Sequence, residues 1–307
     1  MNRPAVRLCN LLVPALLYLC VSARAAGPPA DRFSSASDTT TFPVQIHDWL
    51  VYVPVEINGR HLQFVLDSGS SRTLVDSSHV KELGLKPSGS DTVQGAGQGR
   101  IPVDKLGTLT IGLPGLEMHF EEAGAIDFSG LRRDTGMSAY GLLGHPFLSR
   151  YAVTIDYEHQ TMTVTAPEKF VPPSGAQPLS IEMRGKWPFV SGEVRPSEDV
   201  GIQDKFLIDS GSSDAVDHPV ATKMESRQPT RTGVGLGTAS TGSSATLWGF
   251  RLGQYLVRDV TVACCGATEN TSRMLGGEIL HRFTVTFDYP HNQMFLVPNR
   301  YYVDNKK

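Results

Sequence analysis

FVLDSGSS at Phe64–Ser71 and FLIDSGSS at Phe206–Ser213 are near-copies 142 residues apart. Each sets one aspartate, Asp67 or Asp209, after three apolar residues and before Ser-Gly-Ser-Ser. One such segment describes an acidic turn. Two of them, if related by a duplication, can bring two carboxylates face to face. Carboxylates that close do not both ionise easily, so one keeps a proton while the other stays charged. Such a pair can act as general base toward a water and general acid toward a leaving group.

The rest of the chain carries the same doubling, which is the first thing to seek in a sequence of this length. Gly95-Ala96-Gly97-Gln98-Gly99 recurs as Gly233-Val234-Gly235-Leu236-Gly237, offset by 138. LLGHPFLSRYAVTIDYEHQTM at Leu142–Met162 aligns without gaps to MLGGEILHRFTVTFDYPHNQM at Met274–Met294, offset by 132. Three ordered anchors with slowly shrinking offsets indicate two copies whose loops have lost different lengths.

Both copies read as β. VYVPVEI at Val51–Ile57 and AVTIDY at Ala152–Tyr157 are rich in β-branched and aromatic residues, and Asn58-Gly59 before His61–Leu66 is a two-residue hairpin signal. Thr108–Leu113, Thr161–Thr165, Thr284–Tyr289 and Met294–Val297 continue the pattern. The best helical stretch is Ser77–Leu85, with Ser77 as N-cap and Gly84 near its end. The expected fold is all-β: two barrel-like lobes with a cleft between them. We divide the chain into an N-terminal lobe at 43–165, a Pro-rich linker at 166–180, a C-terminal lobe at 181–300 and a tail at 301–307.

Ahead of the lobes, Arg3 and Arg7 precede the apolar run Leu8–Val21, and Ala23-Arg24-Ala25 offers a small-x-small cleavage site. We read residues 1–25 as a secretory signal and 26–42 as a flexible leader, so the protein is expected to be exported, to periplasm or medium. No membrane span should remain after cleavage. Cys9 and Cys20 leave with the signal, and the adjacent Cys264 and Cys265 read as two partly buried thiols in a strand. The net charge of −3, with no basic run, points away from nucleic acid. No HExxH, P-loop or G-x-S-x-G pattern is present.

These motifs resemble the aspartic peptidases, in the single-chain pepsin-like arrangement, with each copy closer to a compact retropepsin-type domain. The resemblance spans roughly residues 43–299. Its elements are apolar-apolar-Asp-Ser-Gly-Ser, a glycine-rich flap, and an apolar-apolar-Gly that appears as Leu142-Leu143-Gly144 and Met274-Leu275-Gly276. By position, it implies that Asp67 and Asp209 are the catalytic dyad. Gly69 and Gly211 would permit a tight turn, Ser68 and Ser210 would grip the two loops together, and the hydroxyls of Ser70 and Ser212 would donate to the outer carboxylate oxygens and favour an acid optimum. Gly95, Gly97 and Gly99, with Gly233, Gly235 and Gly237, are the flap candidates. The implied substrate is a peptide or protein, with no metal or organic cofactor, and a monomer would suffice because both carboxylates come from one chain. The flap lacks the tyrosine of pepsin-like enzymes, so subsite preference does not follow. The alternative is an inactive relative that binds peptides or glycans in its cleft. Arg72 and Asp214, each five residues beyond its aspartate, are candidates for an ion pair between lobes.

Overall fold

The computed structural model describes residues 30–303, apart from 95–99, 137, 233–234, 236–239 and 265–272. The expected signal segment lies outside these residues. Among the described residues the fold is almost wholly β, with three sheets of eleven, six and eight strands. The eleven-stranded sheet uses residues 32–143 and the eight-stranded sheet residues 182–275. Among the described residues, no helix is long and apolar enough to cross a membrane.

The strands form where pattern and turn chemistry agree. Leu50–Ile57 and Arg60–Leu66 pair in the register that Asn58-Gly59 dictates, Ile57 opposite Arg60. Both turn residues have left-handed backbone, φ 50° and 76°, which Asn tolerates and Gly adopts without a Cβ penalty. Val51, Val53, Val55 and Ile57 point inward and are essentially buried. The helical expectation at Ser77–Leu85 needs correction. Only Ser77–His79 is helical, a single 3-10 turn, and Asp76 rather than Ser77 is its cap, with Asp76 Oδ1 accepting from Ser78 N.

The six-stranded sheet joins the two parts of the chain. Its order is Leu179–Ser180, Gln293–Pro298, Phe283–Asp288, Ala152–Asp156, Thr161–Thr165 and Thr39–Pro43. At its centre, Thr154 lies opposite Thr286, and their hydroxyls meet at 2.8 Å. These are the same residue of the aligned segments, 132 positions apart. Registry is symmetric about them: Ala152 faces Asp288 and Asp156 faces Thr284.

The leader expectation is also corrected. Thr39–Pro43 is an edge strand paired with Thr161–Thr165, and Arg32–Phe33 pairs with Leu116–Glu117. Asp31 is bound by Arg150 at 2.9 Å and by the Tyr151 hydroxyl at 2.6 Å. A polar composition suggested mobility, but a sheet edge satisfies the backbone of Thr39–Pro43 whatever its side chains. Cys264, expected to be a free thiol, is buried and disulfide-bonded, and its partner lies outside the described residues.

Candidate active site

Asp67 and Asp209 each follow a central strand, and each is held by the same backbone contacts. Arg60–Leu66 runs parallel to Gly141–Leu143, and Val200–Ile208 runs parallel to Met274–Leu275. Asp67 N donates to Leu143 O and Asp209 N to Leu275 O, both at 2.9 Å. The loops then turn back, Ser70 N onto Asp67 O and Ser212 N onto Asp209 O. The Leu-Gly element is required by this turn. A Cβ at Gly144 would lie 2.2 Å from Arg72 O, and one at Gly276 2.2 Å from Asp214 O. No side chain fits between these loops.

Ser68 and Ser210 grip one another reciprocally. Ser68 N donates to Ser210 Oγ at 3.0 Å and Ser210 N to Ser68 Oγ at 2.9 Å. Ser68 Oγ donates to Ile208 O at 2.7 Å, and Ser210 Oγ to Leu66 O at 2.8 Å. Both serines are fully buried, so four bonds shielded from water fix one loop to the other.

The glycines matter for a different reason than turn geometry. Neither Gly69 nor Gly211 has positive φ. Instead each lies under the opposite carboxyl. A Cβ on Gly69 would meet Asp209 Cγ at 2.7 Å, and one on Gly211 would meet Asp67 Cγ at 2.5 Å. The two carboxyl groups therefore face each other across the two glycines. Gly211 N donates to Asp209 Oδ1 at 2.9 Å.

The electrostatics follow from this crowding. Burial pushes Asp67 well above the ordinary carboxylate range, and the charge of Asp209 adds to it. Burial also raises Asp209, against the opposing pull of Gly211 N–H. Two buried carboxyls this close titrate as a pair, and with both raised they hold one proton between them more readily than two charges. Asp67 Oδ1 is buried and has no hydrogen-bond partner among the described residues.

Two expectations about the loops are corrected here. The Ser70 hydroxyl donates to Arg72 O at 2.9 Å, and Ser212 Oγ accepts from Asp214 N at 3.2 Å. Both stabilise their own loops instead of donating to the carboxylates, because each side chain folds back two residues along the turn. Neither hydroxyl therefore favours an acid optimum. Arg72 does not pair with Asp214. It binds Asp91 at 2.6 Å, on the strand Gly89–Gln94. That strand forms a hairpin with Arg100–Lys105, Gln94 opposite Arg100. Gly95, Gly97 and Gly99 lie outside the described residues, as do Gly233 and Gly237. Gly235 occupies a bend between the paired strands Gln228–Thr232 and Ser240–Leu252.

Other functional neighbours were not singled out in the sequence. Asp76 and His218, each nine residues past its aspartate, both cap 3-10 turns. Their shared offset was the available signal. Trp49 sits in a left-handed turn, φ 65°, against Gly277, whose added Cβ would lie 2.9 Å from Trp49 Cβ. It stacks on His281 at 3.7 Å. The aligned segments differ here, His145 in one and Gly277 in the other, and the glycine makes room for the indole. Asp156 and Asp288, expected to be structural, bind His159 and His291 at 2.8 Å across the turns that follow their strands.

Asp217 is the most perturbed of these neighbours whose value can be given. Burial, then the charges of Asp214 and Asp209, push it from 3.8 to about 7. A carboxyl whose folded pKa is raised stays protonated in the fold after the unfolded chain has ionised. Stability is therefore lost as pH rises from about 4 to 7. Asp217→Asn should stabilise the protein at pH 8, by on the order of 2 kcal/mol after allowance for part exposure, or about 5 °C in Tm. At pH 3.5 the variant should melt like the parent. An equal shift at both pH values would rule out this electrostatic origin.

Comparison with known proteins adds one finding. Residues 53–147 match the family model described as aspartyl protease. That span runs from within the strand Leu50–Ile57 to Phe147, so it takes in the first DSGSS loop and its Leu-Gly element but not Asp209. No curated protein matches the chain. The match and the all-β fold support a hydrolase of the aspartyl-protease type.

Proposed function

We propose that this protein is an aspartic endopeptidase of two-lobed, duplicated build, in which Asp67 and Asp209 activate a water against the scissile carbonyl. The observation that carries this reading is the reciprocal placement of each carboxyl over the other loop's glycine. Asp209, as the ionised partner, takes a proton from water as its oxygen adds to the carbonyl carbon. Asp67, protonated, donates to the carbonyl oxygen. The resulting diol then expels the amine. Asp209 delivers its proton to the leaving nitrogen while a diol hydroxyl returns one to Asp67, restoring the starting state. No covalent acyl-enzyme forms.

The duplicated build is supported by the reciprocal serine bonds and by the pairing of Thr154 with Thr286. A single chain supplies both carboxylates, so activity requires no dimer. Residues 1–25 support export, with the mature chain beginning near Ala26. A peptide library offered to the mature protein from pH 3 to 8 tests the peptidase reading. Cleavage with a water-derived oxygen in the new carboxylate is expected. Intact peptides at every pH would favour the cleft-bearing binding protein.

A further inference from the structure

The two hairpins that lead into the DSGSS loops differ at one matched position. Val53 pairs with Phe64 and Val190 with Phe206, and these phenylalanines open the two copies of the octapeptide. Four residues before each valine, Trp49 matches Lys186, and one before that Asp48 matches Gly185. The residues they meet also match, since Gly277 and His281 correspond to His145 and Ser149 in the aligned segments. One side is filled. Trp49 packs on Gly277 and stacks on His281, with ring centroids 3.7 Å apart and planes 14° from parallel, and Tyr301 adds a third ring 5.4 Å from the imidazole. The matching side is open: Lys186, His145 and Ser149 line a cavity of about 550 Å3.

The filled side is strained. Asp48 and Trp49 both have left-handed backbone, φ 48° and 65°, where the other turn places Gly185 at φ 65°. A bulky residue keeps that conformation only where its surroundings hold it. Here the contacts with His281 and Gly277 hold it, and beneath them lies the back of the Asp209 loop. Gly277 N donates to Ser212 O at 2.7 Å, and Ser212 N to Asp209 O at 3.3 Å. A Cβ at Gly277 would lie 2.9 Å from both Ser212 O and Trp49 Cβ, so the glycine is gripped between turn and loop. That loop delivers Gly211 N–H to Asp209 Oδ1 at 2.9 Å.

We propose that Trp49 is a positioning residue for Asp209: stacked on His281, it clamps Gly277 against Ser212 and so fixes the turn that presents Gly211 N–H to the carboxylate. It acts from the opposite half of the chain and on the loop, not on the reacting atoms. The Asp67 loop has the matching backbone bond, His145 N to Ser70 O at 2.9 Å, but Lys186 in place of the indole. The clamp is therefore one-sided. An N–H donor favours the charged form of a carboxyl, so the clamp keeps Asp209 ionised to lower pH.

The inference rests on the peptidase reading only for its kinetic arm. Aspartates labelled with 13C at the side-chain carboxyl would be titrated by NMR in the parent, Trp49→Ala and Trp187→Ala, with the dyad signals assigned by their loss in Asp67→Asn and Asp209→Asn. Without the clamp the Gly211 bond weakens, so the dyad should titrate higher in Trp49→Ala, by about 0.3–0.7 pH unit. Trp187 follows the matching turn and is 45% exposed, and Trp187→Ala should titrate like the parent. In turnover, kcat should fall roughly 3- to 10-fold in Trp49→Ala with KM nearly unchanged, and the acid limb of its pH profile should rise with the dyad. Should Trp49→Ala fail to fold, Trp49→Gly takes up φ 65° without strain and still lacks the ring, so the same displacement is expected. Parent-like titration in the folded variant, or equal displacement in Trp49→Ala and Trp187→Ala, overturns the inference. A displaced dyad in a protein that cleaves no peptide would sink the peptidase reading and leave the positioning role standing.

Discussion

Asp67→Asn and Asp209→Asn should each reduce kcat by on the order of 10^4 while raising the thermal stability of the protein at neutral pH. The loss follows from the chemistry. Neither amide can take up a proton from water or deliver one to nitrogen, and a dyad works as one unit, so either single variant removes most of what the double variant would. The gain follows from the electrostatics. Both carboxyls are raised in the fold, by burial first and then by neighbouring charge. An acid with raised folded pKa costs stability above its unfolded pKa. Replacing it with a neutral amide removes that cost at pH 7 and leaves stability unchanged at pH 3. Activity lost together with stability would mean that the substitution had disrupted the loops, and the kinetic result would then say nothing of the dyad. Undiminished cleavage by either variant would refute the mechanism.

The second large effect is expected at the serine grip. Ser68→Ala removes the donor to Ile208 O and the acceptor of Ser210 N, and Ser210→Ala does the same at Leu66 O and Ser68 N. Each substitution leaves a buried N–H and a buried C=O without a partner. At about 1–3 kcal/mol for each orphaned group, either variant should lose about 2–5 kcal/mol, seen as a fall in Tm of roughly 5–15 °C. The four bonds form one network, so the double variant should lose clearly less than the sum of the two singles. Calorimetry on the four proteins of the cycle measures this. Strict additivity would show that the loops are held independently and that the reciprocal bonds contribute little in solution. Turnover should also fall, since Ser68 and Ser210 set the approach of the two carboxyls.

The carboxylates around Asp209 bear on the working pH. Asp214 adds its charge to Asp209, and Asp214 and Asp209 both act on Asp217. Removing the charge of Asp214 lowers Asp209, so the activity profile of Asp214→Asn should move toward acid relative to the parent, as pH–rate profiles of the two proteins would show. The expectation drawn from Ser70 and Ser212 pointed the other way for the parent. It failed because a hydroxyl two residues from a backbone N–H or C=O closes a local turn before it reaches a carboxylate.

Local order was legible in the chain itself. Asn58-Gly59 with alternating apolar neighbours specifies its hairpin, and DSGSS with a later Leu-Gly specifies a loop packed so tightly that only glycine fits. These signals survive because backbone sterics act within a few residues. Strand positions followed for the same reason, while the short helices at Ser129–Thr135, His145–Leu148 and Gly277–Leu280 were too brief to leave a periodic trace. Which side chains meet was another matter. Arg72 finds Asp91 rather than Asp214, Trp49 finds His281, and the polar leader finds a sheet edge. Each of these partners lies far away along the chain, and no local preference selects among them. The sequence by itself determined that two aspartates stand on two like loops. Only the tertiary structure decided how closely they face and how the two loops are tied together, because those depend on packing and on the exclusion of water.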